Sequence, residues 1–278
     1  MMSLPSYGPA PTYLLLSSPR SGSNFLSSIL REHPAVDVMV EPMNQYLPAI
    51  MNSELEYWDS SAYDPDKGIR TLPSYSQDLR YLAQFSRWLH NTERVTVVKE
   101  TTVTTKLAWI ERLFPHFRYL FLFRRPDEVI ASLLTGGFFE TWSYRSKFEK
   151  HVRRFVTGTN VSFSDIEVLA HIWNWRAHLM IRFLEKRMHD IHLVDYNRLI
   201  LQPQATLTEL FTRFGLSVTD EVMSELHEKR QSTRGGLYST YRGGEDTVAP
   251  RTLFDKDDMK VINDICAENY SRLLASSS

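Results

Sequence analysis

The sequence predicts an α/β fold: one domain in which a parallel sheet is flanked by helices. Three observations carry this. Short apolar runs alternate along the chain with stretches of helical periodicity, the signature of parallel strands joined by crossover helices. At 278 residues the chain buries one good core without needing a second domain. Finally, two of its strand-to-helix junctions share one logic, an apolar run, then a short turn carrying arginine and proline, then a helix start.

The apolar runs at 13–17, 36–40, 95–99, 119–123 and 191–195 read as four or five short strands. Helical patterns occupy 23–32, 77–91, 105–113, 127–135, 165–189, 204–214 and 256–274. In the first helix Phe25, Leu26, Ile29 and Leu30 share a face, and in the fourth Val129, Ile130, Leu133 and Leu134 do. Pro126 suits the first turn of that fourth helix, where no N–H is required, and Asp127 and Glu128 complement the positive end of its dipole. The helix over 204–214 is expected to end at Gly215. Segments 44–76 and 135–165 do not fit the alternation. They are rich in Tyr, Trp, Phe, Pro and Ser, and inserts of this kind in a compact domain are often lids or binding loops, so acceptor recognition is expected there. No internal repeat is visible, and the only low-complexity run is Ser276-Ser277-Ser278.

The junction after the first strand carries the most chemistry. Tyr13 to Leu16 run into Ser17-Ser18-Pro19-Arg20-Ser21-Gly22-Ser23-Asn24, and the helix begins there. First-turn N–H groups have no intrahelical partner and sit at the positive end of the helix dipole, so such a junction binds an anion. Arg20 adds a fixed charge, while Ser21, Ser23 and Asn24 add hydrogen-bonding side chains. Gly22 lets the backbone close around a phosphate or sulfate. The loop lacks the first Gly and the Lys-Ser/Thr pair of a Walker A motif, and has one Gly where a dinucleotide fold needs three. The second junction, Phe123-Arg124-Arg125-Pro126, leads into a helix bearing Ser132. Arg124 and Ser132 together offer a guanidinium fork and a hydroxyl. In an open parallel sheet, ligands bind beyond the C-terminal ends of the strands, which is where Arg20 and Arg124 fall.

These two loops resemble those of sulfotransferases that use 3′-phosphoadenosine 5′-phosphosulfate (PAPS). The resemblance implies a P-loop-like sulfotransferase fold spanning 1–278 as a single domain. It assigns Arg20, Ser21, Gly22, Ser23 and Asn24 to the 5′-phosphosulfate, and Arg124 and Ser132 to the 3′-phosphate that ATP lacks. It places Tyr196, in His192–Leu216, near the adenine. It also makes 232–254 the loop that closes over the cofactor, with Arg242-Gly243-Gly244 as a loose form of the family's basic-Gly element; the family's Trp is missing there. The product would be adenosine 3′,5′-bisphosphate. No metal is implied.

Sulfuryl transfer needs positive charge at the transferring group, which Arg20, Lys99 and the helix N-terminus can supply, and a base for the acceptor proton. Many cytosolic relatives carry Lys-Thr-His where this chain has Lys99-Glu100-Thr101, so the usual His is absent. Glu41 follows the second strand and is the first choice for the base. Its Glu-Pro resembles the Glu-Pro of carbohydrate and trehalose sulfotransferases, whose glutamate is the base, and Pro42 is expected to hold Glu41 extended. Glu100 and His33 are the reserves. The aromatic residues around His171, Trp173, Trp175 and His178 read as core packing. The basic cluster Lys147, Lys150, His151, Arg153 and Arg154 reads as a solvated face that could touch an anionic cofactor or acceptor.

A net charge of −1 gives no reason to expect nucleic-acid binding. No window approaches the ~20 apolar residues of a membrane span. The single cysteine, Cys266, cannot form an internal disulfide and is expected as a buried thiol. With neither an anchor nor disulfides in view, a cytoplasmic enzyme is expected. Its acceptor would be a small molecule or carbohydrate offering a hydroxyl or amine, and its oligomeric state is left open. Two other readings stand beside it. One is a kinase-like phosphotransferase with an atypical P-loop; the other is a non-catalytic nucleotide-binding protein of the same fold.

Overall fold

A computed structural model describes residues 11–43, 93–101, 103–107, 110–111, 114–153, 156, 162–186, 191–231 and 253–277, together with Phe85 and Leu89. Five strands, β1 (Thr12–Ser17), β2 (Val36–Val40), β3 (Val95–Glu100), β4 (Arg118–Phe123) and β5 (Ile191–Asp195), form one sheet in the order β2-β3-β1-β4-β5. Every pairing is parallel, with Leu14 of β1 opposite Val98 of β3 on one side and Tyr119 of β4 on the other. The expected α/β class is present, and all five apolar runs form strands.

The helices are α1 (Ser23–Arg31), α2 (Pro126–Thr135), α3 (Phe138–Thr141), α4 (Tyr144–Lys147), α5 (Asp165–Lys186), α6 (Tyr196–Leu201), α7 (Pro203–Phe214), α8 (Asp220–Gln231) and α9 (Lys256–Ser276). Successive strand side chains point to opposite faces, so the sheet divides the core in two. Leu14 and Leu16 pack with Tyr119, Phe121 and Leu193 against α2, α5 and α9. Tyr13 and Leu15 pack with Leu120, Leu122 and Val194 against α1, α7 and α8. Cover on both faces explains why the strands read as continuous apolar runs rather than alternating ones. Cys266 is fully buried as a free thiol, its Sγ 3.4 Å from the Ala170 carbonyl across the α5–α9 interface.

Several elements differ from expectation for local reasons. The helix over 204–214 ends at Gly215 in the left-handed conformation as read, but it begins at Pro203, directly after a separate six-residue helix. That helix, α6, is started by Asp195, whose carboxylate accepts the Asn197 N–H at 2.9 Å, and stops before Pro203. The pattern over 105–113 opens as a 3-10 turn, Val103–Lys106. Helix α8 was not expected, because only Val222, Leu226 and Lys229 are buried along it and so little amphipathic signal exists. The stretch from 135 onward holds two four-residue helices separated by left-handed Ser143, too short to show a period. Its aromatic residues Phe138, Phe139, Tyr144 and Phe148 are core. Expectations for 44–76, most of 232–254 and most of 77–91 lie outside the described residues, although Phe85 and Leu89 are helical and buried.

The order places β1 at the centre, with the connection through α1 leading to one side and β4 and β5 lying on the other. The loop after β1 therefore stands at the switch point of the sheet, between the ends of β3 and β4.

Candidate active site

Loop 18–22 turns sharply because Arg20 (φ 68°) and Gly22 (φ 94°) both take left-handed backbone. Gly22 is the N-cap of α1. No side chain caps this end, and the first helical bond is Leu26 N–H to Gly22 O at 3.0 Å. The amides of Ser23 and Asn24 therefore have no intrahelical acceptor. The hydroxyls of Ser17 and Ser21 are buried without a hydrogen-bond partner, which a native fold rarely leaves unexplained. Free amides, a wrapped glycine and unsatisfied hydroxyls are the donor set that an oxyanion completes, so the residues present fit a phosphosulfate group.

Gly22 is needed for packing as well. A Cβ there would lie 2.2 Å from Cε2 of Tyr196, whose ring is 3% exposed. Gly22→Ala should therefore lose roughly 2–4 kcal/mol through clash and positive-φ strain combined, read as a lowered urea midpoint. Parent-like stability would show that the loop and the tyrosine can part easily.

Arg20 donates from Nε to Ser132 Oγ at 3.0 Å, and its guanidinium lies 4.8 Å from the Phe138 ring centroid. Arg124 donates from Nε to Glu128 at 2.6 Å, reaches the Arg20 carbonyl at 3.4 Å, and lies 4.7 Å over the Tyr196 ring. The two junctions meet here: Arg20 contacts Ser132 and is contacted by Arg124. Glu128, 1% exposed, holds the group together, because its other oxygen accepts from Asn197 Nδ2 at 2.8 Å. Sequence reasoning read Glu128 only as a helix-dipole complement, and its i,i+4 spacing from Arg124 was the available signal.

Glu41 is not extended as Pro42 suggested. It is left-handed, with φ 51°. Its N–H still bonds the Lys99 carbonyl at 2.8 Å, so β2 ends in register and the chain then kinks, turning the carboxylate over β3. There Glu41 Oε1 accepts from Lys99 Nζ at 2.7 Å and from Thr101 Oγ1 at 2.9 Å. Burial raises the Glu41 carboxyl, but the bond to Lys99, its charge and the Thr101 hydroxyl outweigh this and hold it below its ordinary value. Sequence reasoning missed Thr101 as a partner.

Glu100 sits one residue on and is fully buried. It accepts the Met43 N–H at 2.8 Å through Oε1, while Oε2 has no partner. Burial pushes its carboxyl up to about 7, with the Glu41 charge adding and the Met43 N–H and Lys99 opposing. Between the ordinary carboxylate range and pH ~7 the folded state holds a proton that the unfolded chain has lost. This group's contribution to stability is therefore full at low pH and is lost as pH rises to about 7. Glu100→Gln should be more stable than the parent at pH 8 by roughly 1–3 kcal/mol and close to it at pH 5. Urea midpoints that shift equally at the two pH values would contradict a carboxyl that protonates on folding.

Arg20, Ser23, Asn24, Glu41, Lys99 and Thr101 line one cleft of about 510 Å³, together with Trp142, Tyr144, Lys147 and Arg176. Glu100 and Tyr196 are not among its lining residues. His33 lies past the far end of α1, where Nδ1 accepts from Ala35 N–H and Nε2 donates to the Ser217 carbonyl at 3.0 Å. Arg242 falls outside the described residues. Among those residues no cluster of His, Cys, Asp or Glu could hold a metal ion, and no helix is long and apolar enough to cross a membrane.

Comparison with known proteins agrees with this fold. The profile of the sulfotransferase family matches residues 11–220. The chain belongs to that family. Among solved structures, a sulfotransferase from Alicyclobacillus acidocaldarius is 12% identical with a TM-score of 0.54, covering 96% of this chain and 95% of that one. The sulfotransferase domain of the Synechococcus PCC 7002 olefin synthase is 14% identical with a TM-score of 0.52, covering 100% and 98%. Mouse sulfotransferase SULT7A1 complexed with PAP is 10% identical with a TM-score of 0.53, covering 96% and 87%. At these identities the likeness is one of fold. No curated protein sequence matches the chain.

Proposed function

We propose that this sulfotransferase takes its sulfuryl group from PAPS and transfers it to a hydroxyl or amine of a small-molecule or carbohydrate acceptor. The observation that carries the reading is that the uncapped end of α1, Arg20, Lys99 and Glu41 all face one cleft. Bound there, PAPS supplies an activated sulfuryl group on a phosphate leaving group.

The chain's own residues then divide the work. Ser21, Gly22, Ser23 and Asn24 hold the phosphosulfate through backbone and hydroxyl donors. Arg20 and Lys99 offer fixed positive charge where negative charge develops in the transition state. Arg124 and Ser132 take the 3′-phosphate, and Glu128 and Tyr196 hold Arg124 in place for it. Tyr196 thereby serves the nucleotide end from beneath the loop. Arg242 completes the nucleotide site from segment 232–254. Glu41 accepts the acceptor's proton at its carboxylate and is ionised at neutral pH. Glu100, beside it but buried, keeps the strand end in place. Segment 135–165 contributes the acceptor wall through Trp142, Tyr144 and Lys147. The lone buried thiol accords with a reducing compartment, and we place the reaction in the cytoplasm.

Thermal stabilisation separates this from a kinase-like use of the loop. Adenosine 3′,5′-bisphosphate at a hundredfold excess over Kd should stabilise the protein by ~2.7 kcal/mol, and ATP with Mg²⁺ should do markedly less. Equal or greater stabilisation by ATP with Mg²⁺ would overturn the PAPS assignment. A non-catalytic binder of the same fold would be stabilised like the parent but would transfer no label from PAPS to any member of an acceptor panel.

A further inference from the structure

Helix α5 buries a stripe at Leu169, Trp173, Arg176, Met180 and Phe183, spaced four, three, four and three residues apart. Four of these are the apolar residues such a stripe requires. The fifth is a guanidinium. Arg176 is 9% exposed, its Nε is buried without a hydrogen-bond partner, and it lines the cleft. A desolvated cation in an apolar stripe is costly unless an anion completes it. Among the described residues no carboxylate pairs with it.

The charges around the cleft do not balance. Among the described residues its lining holds Arg20, Lys99, Lys147 and Arg176 against a single carboxylate, Glu41, which is already bonded to Lys99 and Thr101. A phosphosulfate on the α1 loop answers Arg20 and Lys99. Arg176, whose Nε has no partner, then remains, and Lys147, Tyr144 and Trp142 line the same cleft. The Tyr144 phenol lies in the field of both Arg176 and Arg20, and the Lys147 ammonium is 5.2 Å from its ring centroid. This lining combines a buried fork, a second cation, a hydroxyl and an indole. It suits an oxyanion held bidentately beside an apolar body.

We propose that Arg176, supported by Lys147 and Tyr144, binds an oxyanion on the acceptor, so that the acceptor class is a hydroxylated organic acid rather than a neutral alcohol or sugar. This rests on the reading of the α1 loop as the donor site, which leaves Arg176 unanswered. The oxyanion is a carboxylate, sulfate or phosphate, and a cleft of this size holds it together with the reacting end of the donor. Arg176 thereby sets which acceptor hydroxyl faces Glu41.

The test uses full-length protein saturated with adenosine 3′,5′-bisphosphate and titrated calorimetrically with matched pairs. The pairs are 4-hydroxybenzoate against 4-hydroxybenzyl alcohol, and glucuronate and glucose 6-phosphate each against glucose. The parent should bind at least one acid tenfold or more tightly than its neutral twin, and the acid that does so identifies the oxyanion. Arg176→Gln should abolish that preference while leaving affinity for the nucleotide within twofold, and Arg176→Lys should keep part of it. Equal affinity within every pair in the parent overturns the proposal, even if the Gln variant fails to fold. So does a preference that survives Arg176→Gln. A variant that loses affinity for PAPS but not for adenosine 3′,5′-bisphosphate overturns it too, by assigning the guanidinium to the donor's sulfuryl group. If the nucleotide does not bind but the twins still differ through Arg176, the donor reading fails and the oxyanion site stands.

Discussion

Glu41→Gln is expected to lower kcat by about 10²–10⁴ while leaving adenosine 3′,5′-bisphosphate bound at least as tightly as in the parent. The amide keeps the shape and can still accept from Lys99 and Thr101, but it cannot take a proton. Nucleotide affinity should not fall, because a Lys99 no longer tied to a carboxylate has more of its charge to offer a phosphate. The pH profile adds an independent check. Glu41 is held below its ordinary value by Lys99 and Thr101. If it is the base, kcat/KM should show no acid limb above the usual carboxylate range. Glu100 titrates at about 7, so a limb there, with Glu100→Gln inactive and Glu41→Gln active within a few-fold, would move the base to β3. If both variants stay active, the acceptor needs little deprotonation, as a neutral amine would.

Arg124→Ala should remove most of the preference for adenosine 3′,5′-bisphosphate over 5′-AMP, a loss on the order of 2–4 kcal/mol for a desolvated ion pair. The side chain is already fixed by Glu128 and by the Tyr196 ring, so little entropy is lost when phosphate arrives. Part of the measured loss will come from Glu128, left buried without its guanidinium. Arg124→Ala in a Glu128→Gln background isolates the contribution of the phosphate contact, since the second substitution removes the stranded charge. Calorimetry that finds equal affinity for the two nucleotides in the parent would remove the 3′-phosphate from this site.

The strands were legible because burial on both faces writes them as unbroken apolar runs such as Leu14-Leu15-Leu16 and Leu120-Phe121-Leu122, bounded by turn residues. The anion loops were legible because their residues are adjacent in sequence. What the chain does between strands was harder to read. Pro42 correctly forbids a right-handed Glu41, yet it cannot choose between extended and left-handed backbone. That choice comes from the hydrogen bond to Lys99 and the pull of its ammonium, both long-range. Likewise Lys99 and Glu100 look equivalent as neighbours, but strand alternation sends one into the cleft and buries the other. Arg176 is legible in principle, as the one charge in the stripe from Leu169 to Phe183, but the aromatic residues on either side make the stretch read as core packing.

The all-parallel order with β1 in the middle also governs when activity can appear as the chain folds. A parallel sheet has no hairpins, so none of its strand pairs is local. The site inherits this: Arg20 meets Ser132 across 112 positions and Lys99 meets Glu41 across 58. Each of these pairs needs a large loop to close before its contacts form, the kind of topology that slows folding. A chain whose sheet is incomplete therefore has no partial site, only separated arginines and carboxylates. Recovery of nucleotide binding during refolding should then lag behind recovery of helical signal and coincide with closure of the sheet on β4.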